Sequence, residues 1–463
     1  MDTIIQQIVE KVIKNINKSF EEMINQEEGI SGFILNVAET LNEVGVAVTK
    51  EAIEKFDDII KNESNRKEKW IVKSKNDKKS IATMFGQVDY ERTYYENKKT
   101  GRYAYLSDEI LGIKAHDKMD VSLKSKLVEE AIESPYRKSA DKISKNVDIT
   151  GQTVMNTIRE LGSVKNNVIK IKEKKKEIKT LYIEADEDHV ANQHGSCIQP
   201  RLVYVHEGRE KIGKKRNKLK NKRMFSGVYR ESEDLWLEVA NYIDEAYDME
   251  KIEKIYLSGD GALWIKQGIE WINKSIYVLD RFHLSKYVKK ATAHMPYCTS
   301  CLWNYINRLE KENVEALLKI IIKETKEETK KKAVKDAKRY ILNNWEGIVN
   351  QYEEEYIGCS AEGHISHVLS DRLSSRPLGW SEKGVDQIAR LRVFKENGGK
   401  VYEEFTKRRK KQIEEEKSYK VKIMKSKKKM INKKAKEIIR NVPIITDGRT
   451  TGIGKLLRQV KGA

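Results

Sequence analysis

TLYIEAD at residues 180–186 and EKIYLSGD at residues 253–260 are two short, mostly apolar runs that each close on an aspartate. Apolar runs of strand length, rich in β-branched and aromatic residues, read as buried strands. Around them the chain alternates. IQPRLVYVHEG (198–208) and RMFSGVY (223–229) supply a second and a third strand, and ESEDLWLEVANYIDEAYD (231–248) is an amphipathic helix. After Asp260 come a helix, GALWIKQGIEWI (261–272), a strand, SIYVLD (275–280), and a helix, RFHLSKYVKKATAHM (281–295).

Three strands, then helix, strand, helix, strand is the element order of an RNase H-like α/β core. In that topology the fourth strand lies beside the first. Asp186 and Asp260, 74 residues apart in the chain, are therefore expected at neighbouring strand ends.

Outward from this unit the sequence predicts a multidomain α+β protein. Residues 1–115 read as N-terminal helices and a small antiparallel sheet: Ile5, Ile8, Val12 and Ile16 recur at helical spacing, and alternation surrounds Tyr90–Tyr95. Residues 116–168 read as a helix-turn-helix. Ser134 is an N-cap with Pro135 at the first helical position, Val147-Asp148-Ile149 is the link, and Thr150 is a second N-cap. The second helix turns Val154, Ile158 and Leu161 inward and Gln152, Asn156 and Arg159 outward. Gln, Asn and Arg are side chains suited to base edges in the major groove. The first part of the core spans 178–298 and the second 356–400. A charged helical insertion, 299–355, separates them, and a basic tail, 401–463, carries KRRKK and KSKKK blocks.

Composition sets the partner class. The chain has 463 residues, 39% hydrophobic and 35% charged, with 90 Lys and Arg against 71 Asp and Glu, a formal charge of +19. Such a balance favours a polyanion, because neutralising phosphates releases condensed counterions. Four cysteines (Cys197, Cys298, Cys301, Cys359) in a chain this long do not make a disulfide framework. No apolar run approaches the roughly 18 residues needed to span a membrane. The N-terminal MDTIIQQIVEKVIKNINKSF lacks the regions of a signal peptide. The expectation is a soluble cytoplasmic protein associated with the nucleoid.

Asp186, Asp260 and Glu362, the last in SAEGHISHVLSDRLSSR, form the candidate catalytic and metal-binding set. Asp188 is the rival for the first position, on the same strand parity, with Glu184 and Glu187 as weaker alternatives. Hard cations such as Mg²⁺ take carboxylate oxygens and keep several waters. Two such ions about 3.5–4 Å apart activate a water or a 3′-hydroxyl and stabilise the leaving oxygen of an in-line phosphoryl displacement.

The segments EADEDHVANQ, LSGDGALWIKQG, VLDRFHLSKYV and CSAEGHISHVLSDRLSSRPLGWS together resemble the ISLre-type transposases of bacterial insertion sequences, which are similar in turn to Mutator-like DDE transposases. The resemblance runs from the strand-rich region to NVPIITDGRTTGIGKLLRQVKG. It implies Asp186, Asp260 and Glu362 as the triad and Mg²⁺, or Mn²⁺ in its place, as cofactor. It also implies double-stranded DNA partners, the element's terminal inverted repeats and a target, with a homo-oligomer acting on them. It departs in one respect: related groups carry a cysteine-rich zinc module near the N-terminus, and no cysteine precedes Cys197, so no zinc is expected. A non-catalytic DNA-binding relative and an RNase H-fold nuclease are the competing readings.

Asp280 and His283 form a D-x-x-H pair that buttresses the site or contacts DNA, unless Asp280 is a plain N-cap. His364 and His367 lie one helical turn apart beside Glu362, and Arg372 and Arg376 follow as candidate phosphate contacts. Cys298-Thr-Ser-Cys301, with only His294 near, falls short of four zinc ligands. TDGRTTGIGKLL is not a P-loop: Gly448 to Gly454 encloses five residues where four are required, and Leu456 stands where Ser or Thr holds Mg²⁺.

Overall fold

Five strands build the central sheet of the computed structural model, which describes residues 2–25, 29–143, 147–169, 171, 175–213, 217–376 and 379–414. They are β1 (Thr180–Glu187), β2 (Arg201–His206), β3 (Arg223–Gly227), β4 (Lys254–Gly259) and β5 (Ser275–Leu279). Their order across the sheet is β3-β2-β1-β4-β5. β1, β4 and β5 are parallel neighbours, and β2 runs antiparallel to both β1 and β3. β1 is central, which is why it is buried without interruption from Leu181 to Asp186.

Alternation along β1 sorts its side chains to two faces. Leu181, Ile183 and Ala185 enter the main core with Leu257, Leu279, and Trp236, Val239 and Ile243 of the helix Ser232–Ala246. Tyr182, Tyr256 and Val278 form a smaller apolar cluster on the other side, against Tyr356 and Ile357. Asp186 shares the parity of Tyr182.

The single helix expected over 261–272 is two short ones, Leu263–Lys266 and Gly268–Trp271. The break falls where the backbone is drawn onto the Trp236 indole, to which a Cβ on Gly268 would come within 2.7 Å. The inserted helices Tyr297–Asn307, Lys311–Glu324, Glu328–Asn343 and Trp345–Val349 are not a detached lobe. Leu302, Ile306, Val314, Leu318, Val334 and Ile341 on them join the same core as the sheet.

N-terminal to the sheet lie the helices Asp2–Ile24 and Ile30–Asn62 and an antiparallel sheet of Trp70–Thr83, Gly86–Asn97 and Tyr103–Tyr105. That sheet starts at Trp70, twenty residues before the alternation around Tyr90–Tyr95 that marks it in the sequence. Its first strand shifts register between Val72 and Ser74 and again between Ser74 and Asp77, and such irregularities erase the alternation a strand shows in sequence. The helices Val121–Glu133, Tyr136–Ile143 and Gly151–Leu161 follow. Thr150 caps the last, its hydroxyl accepting from Thr153 N at 3.2 Å. Val154, Ile158 and Leu161 are buried, and Gln152, Asn156 and Arg159 are exposed.

The helix Glu382–Glu396 closes the first compact unit, residues 1–401. In the second unit, 402–463, residues 402–414 are helical and include the KRRKK block. The KSKKK block, the 446–455 segment and part of the 170–179 linker lie outside the described residues. No helix among the described residues is long and apolar enough to cross a membrane.

Candidate active site

The sheet register brings acids to one edge. Ser258 pairs with Glu184 across β4 and β1, so Asp260, two residues on, stands level with Asp186. Gly259 makes the approach: a Cβ there would lie 2.7 Å from Ile265 and 3.0 Å from the Ala185 carbonyl. Asp280 N donates to Gly259 O at 2.8 Å and extends the ladder to β5. Three aspartates thus mark the C-terminal ends of three adjacent parallel strands.

Two further groups arrive from helices. Glu362 sits exposed in the first turn of Ala361–Ile365, and His283 in the first turn of Arg281–Thr292. A carboxylate oxygen of Asp186, one of Glu362 and a ring nitrogen of His283 all lie within 4.8 Å of one another. Asp260 is outside that trio; its Oδ1 accepts from Ala262 N at 2.8 Å.

Asp186 is only 6% exposed. Burial pushes its carboxyl up to about 7, the charges of Asp260 and Glu362 adding to the shift, while the Glu187 N–H and His283 act against it. For His283 burial works downward, but the hydrogen bond to Asp280 and the charges of Asp186 and Asp260 prevail and raise it. A buried carboxyl crowded by two others is stabilised in its charged form by a cation placed among them.

Glu184, two residues before Asp186 on the same face, is the hub that holds the Glu362 segment. Its buried carboxylate accepts from Tyr204 OH at 2.5 Å, His206 Nε2 at 3.0 Å and Cys359 Sγ at 3.3 Å. It also accepts from the backbone N–H and the hydroxyl of Ser360, two residues before Glu362. Burial alone pushes the acid up, but these donors hold it at about 2. Burial pushes the Cys359 thiol well up, so it serves as a neutral donor. Glu184→Ala is expected to cost about 2–3 kcal/mol in urea unfolding, since it leaves several buried donors unpaired. Glu184→Gln, which keeps an acceptor, should cost less.

The other sequence candidates are placed as follows. Asp188 accepts from the Ser374 hydroxyl at 2.9 Å through both oxygens and anchors that segment to the end of β1. Glu187 accepts from the Trp264 indole N–H. Asp280 caps its helix, accepting from Phe282 N at 3.1 Å, and bonds His283 Nδ1 at 3.0 Å. His364 packs at a tilt against Tyr204 with ring centroids 4.4 Å apart and its Nδ1 3.1 Å from Ser360 O, and burial pushes it down. His367 is exposed, 3.6 Å from Asp371. Gln152 Nε2 donates to Asn156 Oδ1 at 3.1 Å. His294 Nε2 lies 2.7 Å from Thr325 Oγ1.

Arg372 corrects the sequence reading. It is buried, donates to Ala131 O at 3.0 Å, and sits over the Tyr136 and Trp380 rings. Burial pushes it down to about 10. It ties the Glu362 segment to the Val121–Glu133 helix, whereas Arg376 is exposed. Arg372→Ala should lower stability by about 3 kcal/mol in urea, because a buried bonded guanidinium carries packing as well as hydrogen bonds. DNA affinity of the folded fraction, measured by fluorescence anisotropy, should stay unchanged.

Sequence reasoning missed Tyr340. Its hydroxyl donates to Asp260 O and its ring stacks on Tyr287 with centroids 3.6 Å apart, so the insertion supports the second acid. It weighed Glu184 only as a substitute for Asp186; the Tyr182-Glu184-Asp186 parity was the signal for a supporting role.

The family model described as an uncharacterised protein family, UPF0236, matches residues 9–412. A UPF0236 protein of Caldanaerobacter subterraneus subsp. tengcongensis is 48% identical over 448 residues, covering 96% of this chain and 94% of the relative. Its name joins eleven gene loci of that genome. Another from the same organism, its name joining four loci, is 47% identical, again covering 96% of this chain and 94% of the relative.

Proposed function

The chain belongs to the UPF0236 family, and from that membership and the acidic strand ends we propose that it is a DDE-type DNA transposase. It binds the terminal inverted repeats of its insertion sequence and catalyses DNA cleavage and strand transfer. The observation that carries the reading is the level placement of Asp186 and Asp260 on adjacent parallel strands, with Glu362 brought to Asp186 from a distant helix. The strand order β3-β2-β1-β4-β5, with β2 alone antiparallel to its neighbours on both sides, supports an RNase H-like core. Relatives whose names gather eleven and four loci of one genome support a mobile element present in several copies. The outward Gln152, Asn156 and Arg159 support a helix-turn-helix that reads the repeats.

Asp186, Asp260 and Glu362 would hold the divalent cations, Mg²⁺ or Mn²⁺. The donor set fits: three carboxylates, one of them buried, with an Asp186 oxygen that has no hydrogen-bond donor among the described residues. Bound there, such ions supply Lewis acidity to the attacking and leaving oxygens. The chain's own residues fix the geometry. Glu184 holds Glu362 against β1, Tyr340 holds the Asp260 turn, and exposed basic residues such as Arg376 hold the phosphate backbone. Water adds to the phosphorus at the element's end and the strand's 3′-oxygen leaves as a hydroxyl. That hydroxyl then attacks a target phosphodiester and displaces its 3′-oxygen. One P–O bond forms as one breaks in each step, so no nucleotide cofactor is required. The resemblance to ISLre-type transposases implies that a homo-oligomer acts on the element's two ends.

The test is a reaction of purified protein with labelled duplexes carrying the gene's own flanking ends, with Mg²⁺, beside Asp260→Ala and an EDTA control. End-specific nicking that disappears in both controls is the expected result. Binding without cutting would replace the reading with a non-catalytic relative, and cutting of unrelated DNA without joining would replace it with a nuclease.

A further inference from the structure

Resting on the reading of this site as a metal centre, we propose that His283 is a direct ligand, so that one ion is held by Asp186, Glu362 and an imidazole nitrogen. Three facts converge. The ligand atoms of these residues lie within 4.8 Å of one another, the only such trio among the described residues. Asp186 is nearly fully buried and, among the described residues, accepts only from the Glu187 N–H, leaving its second oxygen for an ion. His283 Nδ1 lies 3.0 Å from the buried carboxylate of Asp280.

The last fact distinguishes a ligand from a packed histidine. A ring that donates Nδ1–H to a carboxylate keeps its lone pair on Nε2. A carboxylate holding the far nitrogen is the usual support of a metal-bound histidine, fixing its tautomer and orientation. Asp280 has a second tie, accepting from Phe282 N at 3.1 Å as the helix cap, so the ring is aimed by a fixed group. The D-x-x-H spacing has a reason: the cap aspartate at the end of β5 and the histidine one turn later meet on one side of the helix.

A nitrogen ligand changes the cation. Mg²⁺ is served by oxygen, whereas imidazole suits first-row transition ions. The nitrogen therefore favours a first-row transition ion over Mg²⁺ at this position, and Mn²⁺ is the paramagnetic probe of that series. Asp260, outside the trio, is left for a second, oxygen-ligated ion.

The test uses the full-length protein without DNA. Mn²⁺ is titrated in and followed by electron paramagnetic resonance, and the bound ion is examined by electron spin-echo envelope modulation for coupling to ¹⁴N. Wild type should show ¹⁴N modulation. His283→Gln should lose it and bind Mn²⁺ at least ~10-fold more weakly, and Asp280→Asn should keep it with affinity reduced by roughly 10-fold or more. His294→Gln, a histidine bonded elsewhere, should change neither. Circular dichroism melts establish that each variant is folded, and Asp280→Asn carries the test if His283→Gln is not. An oxygen-only spectrum in wild type, or ¹⁴N modulation that survives His283→Gln, overturns the proposal. The two readings fail separately: nitrogen coupling in a protein that joins no DNA sinks the transposase and keeps the ligand, while oxygen-only Mn²⁺ in a protein that joins DNA does the reverse.

Discussion

Asp186→Asn is expected to abolish DNA cleavage and joining while making the metal-free protein more stable. The first effect follows from removing a carboxylate oxygen at the point where Glu362 and His283 meet, beside Asp260; loss of such electrostatic support should lower the rate by about 10³-fold or more. The second follows from linkage. The folded protein holds this carboxyl near 7 against an ordinary 3.8. Between those values the unfolded chain is ionised while the folded one keeps its proton. The folded state therefore loses stability as pH rises from about 4 to about 7, and the loss is complete above that. Asparagine removes the buried charge. Thermal melts in EDTA should place the variant above the parent at pH 8 and bring the two together near pH 4. Equal melting temperatures at pH 8 would mean that Asp186 is not under the strain described.

Trp236→Ala should be the most damaging change away from the site. Trp236 is fully buried between the Ser232–Ala246 helix and the sheet, its indole N–H donates to Trp264 O at 2.7 Å, and the 263–271 segment is moulded to it. Large-to-alanine changes at such positions cost about 3–5 kcal/mol. Urea unfolding should show a loss of that size. A cost under about 1 kcal/mol would mean that the segment after Asp260 is not seated on this core.

The strand ends were legible in the sequence because an apolar run that stops at an acid needs no partner to be recognised. TLYIEAD and EKIYLSGD read as strands closing on Asp186 and Asp260, and β1 and β4 run over Thr180–Glu187 and Lys254–Gly259. Helix caps at Thr150 and Asp280 were readable for the same local reason. What depends on distant parts of the chain was not. Glu184 looked like a spare acid, since Tyr204, His206 and Ser360 reach it only across the folded sheet and the segment beyond the insertion. Arg372 looked like a surface charge, since Ala131, Tyr136 and Trp380 surround it only after folding. The strand from Trp70 hid behind lysines and two register shifts, and the break at Gln267 needed Trp236 to explain it. His283 stood out beside Asp280, but its approach to Asp186 and Glu362 is a product of three separate elements.

Sequencing of reaction products puts the transposase reading at greatest risk. Purified protein, duplexes carrying the element's own ends, a plasmid target and Mn²⁺ or Mg²⁺ are incubated, and the new junctions are read by deep sequencing beside Asp186→Asn. The expected junctions join the 3′ terminus of the element's end to target DNA at a constant stagger, and they vanish in the variant. End binding without any junction, or junctions that persist in Asp186→Asn, would contradict it.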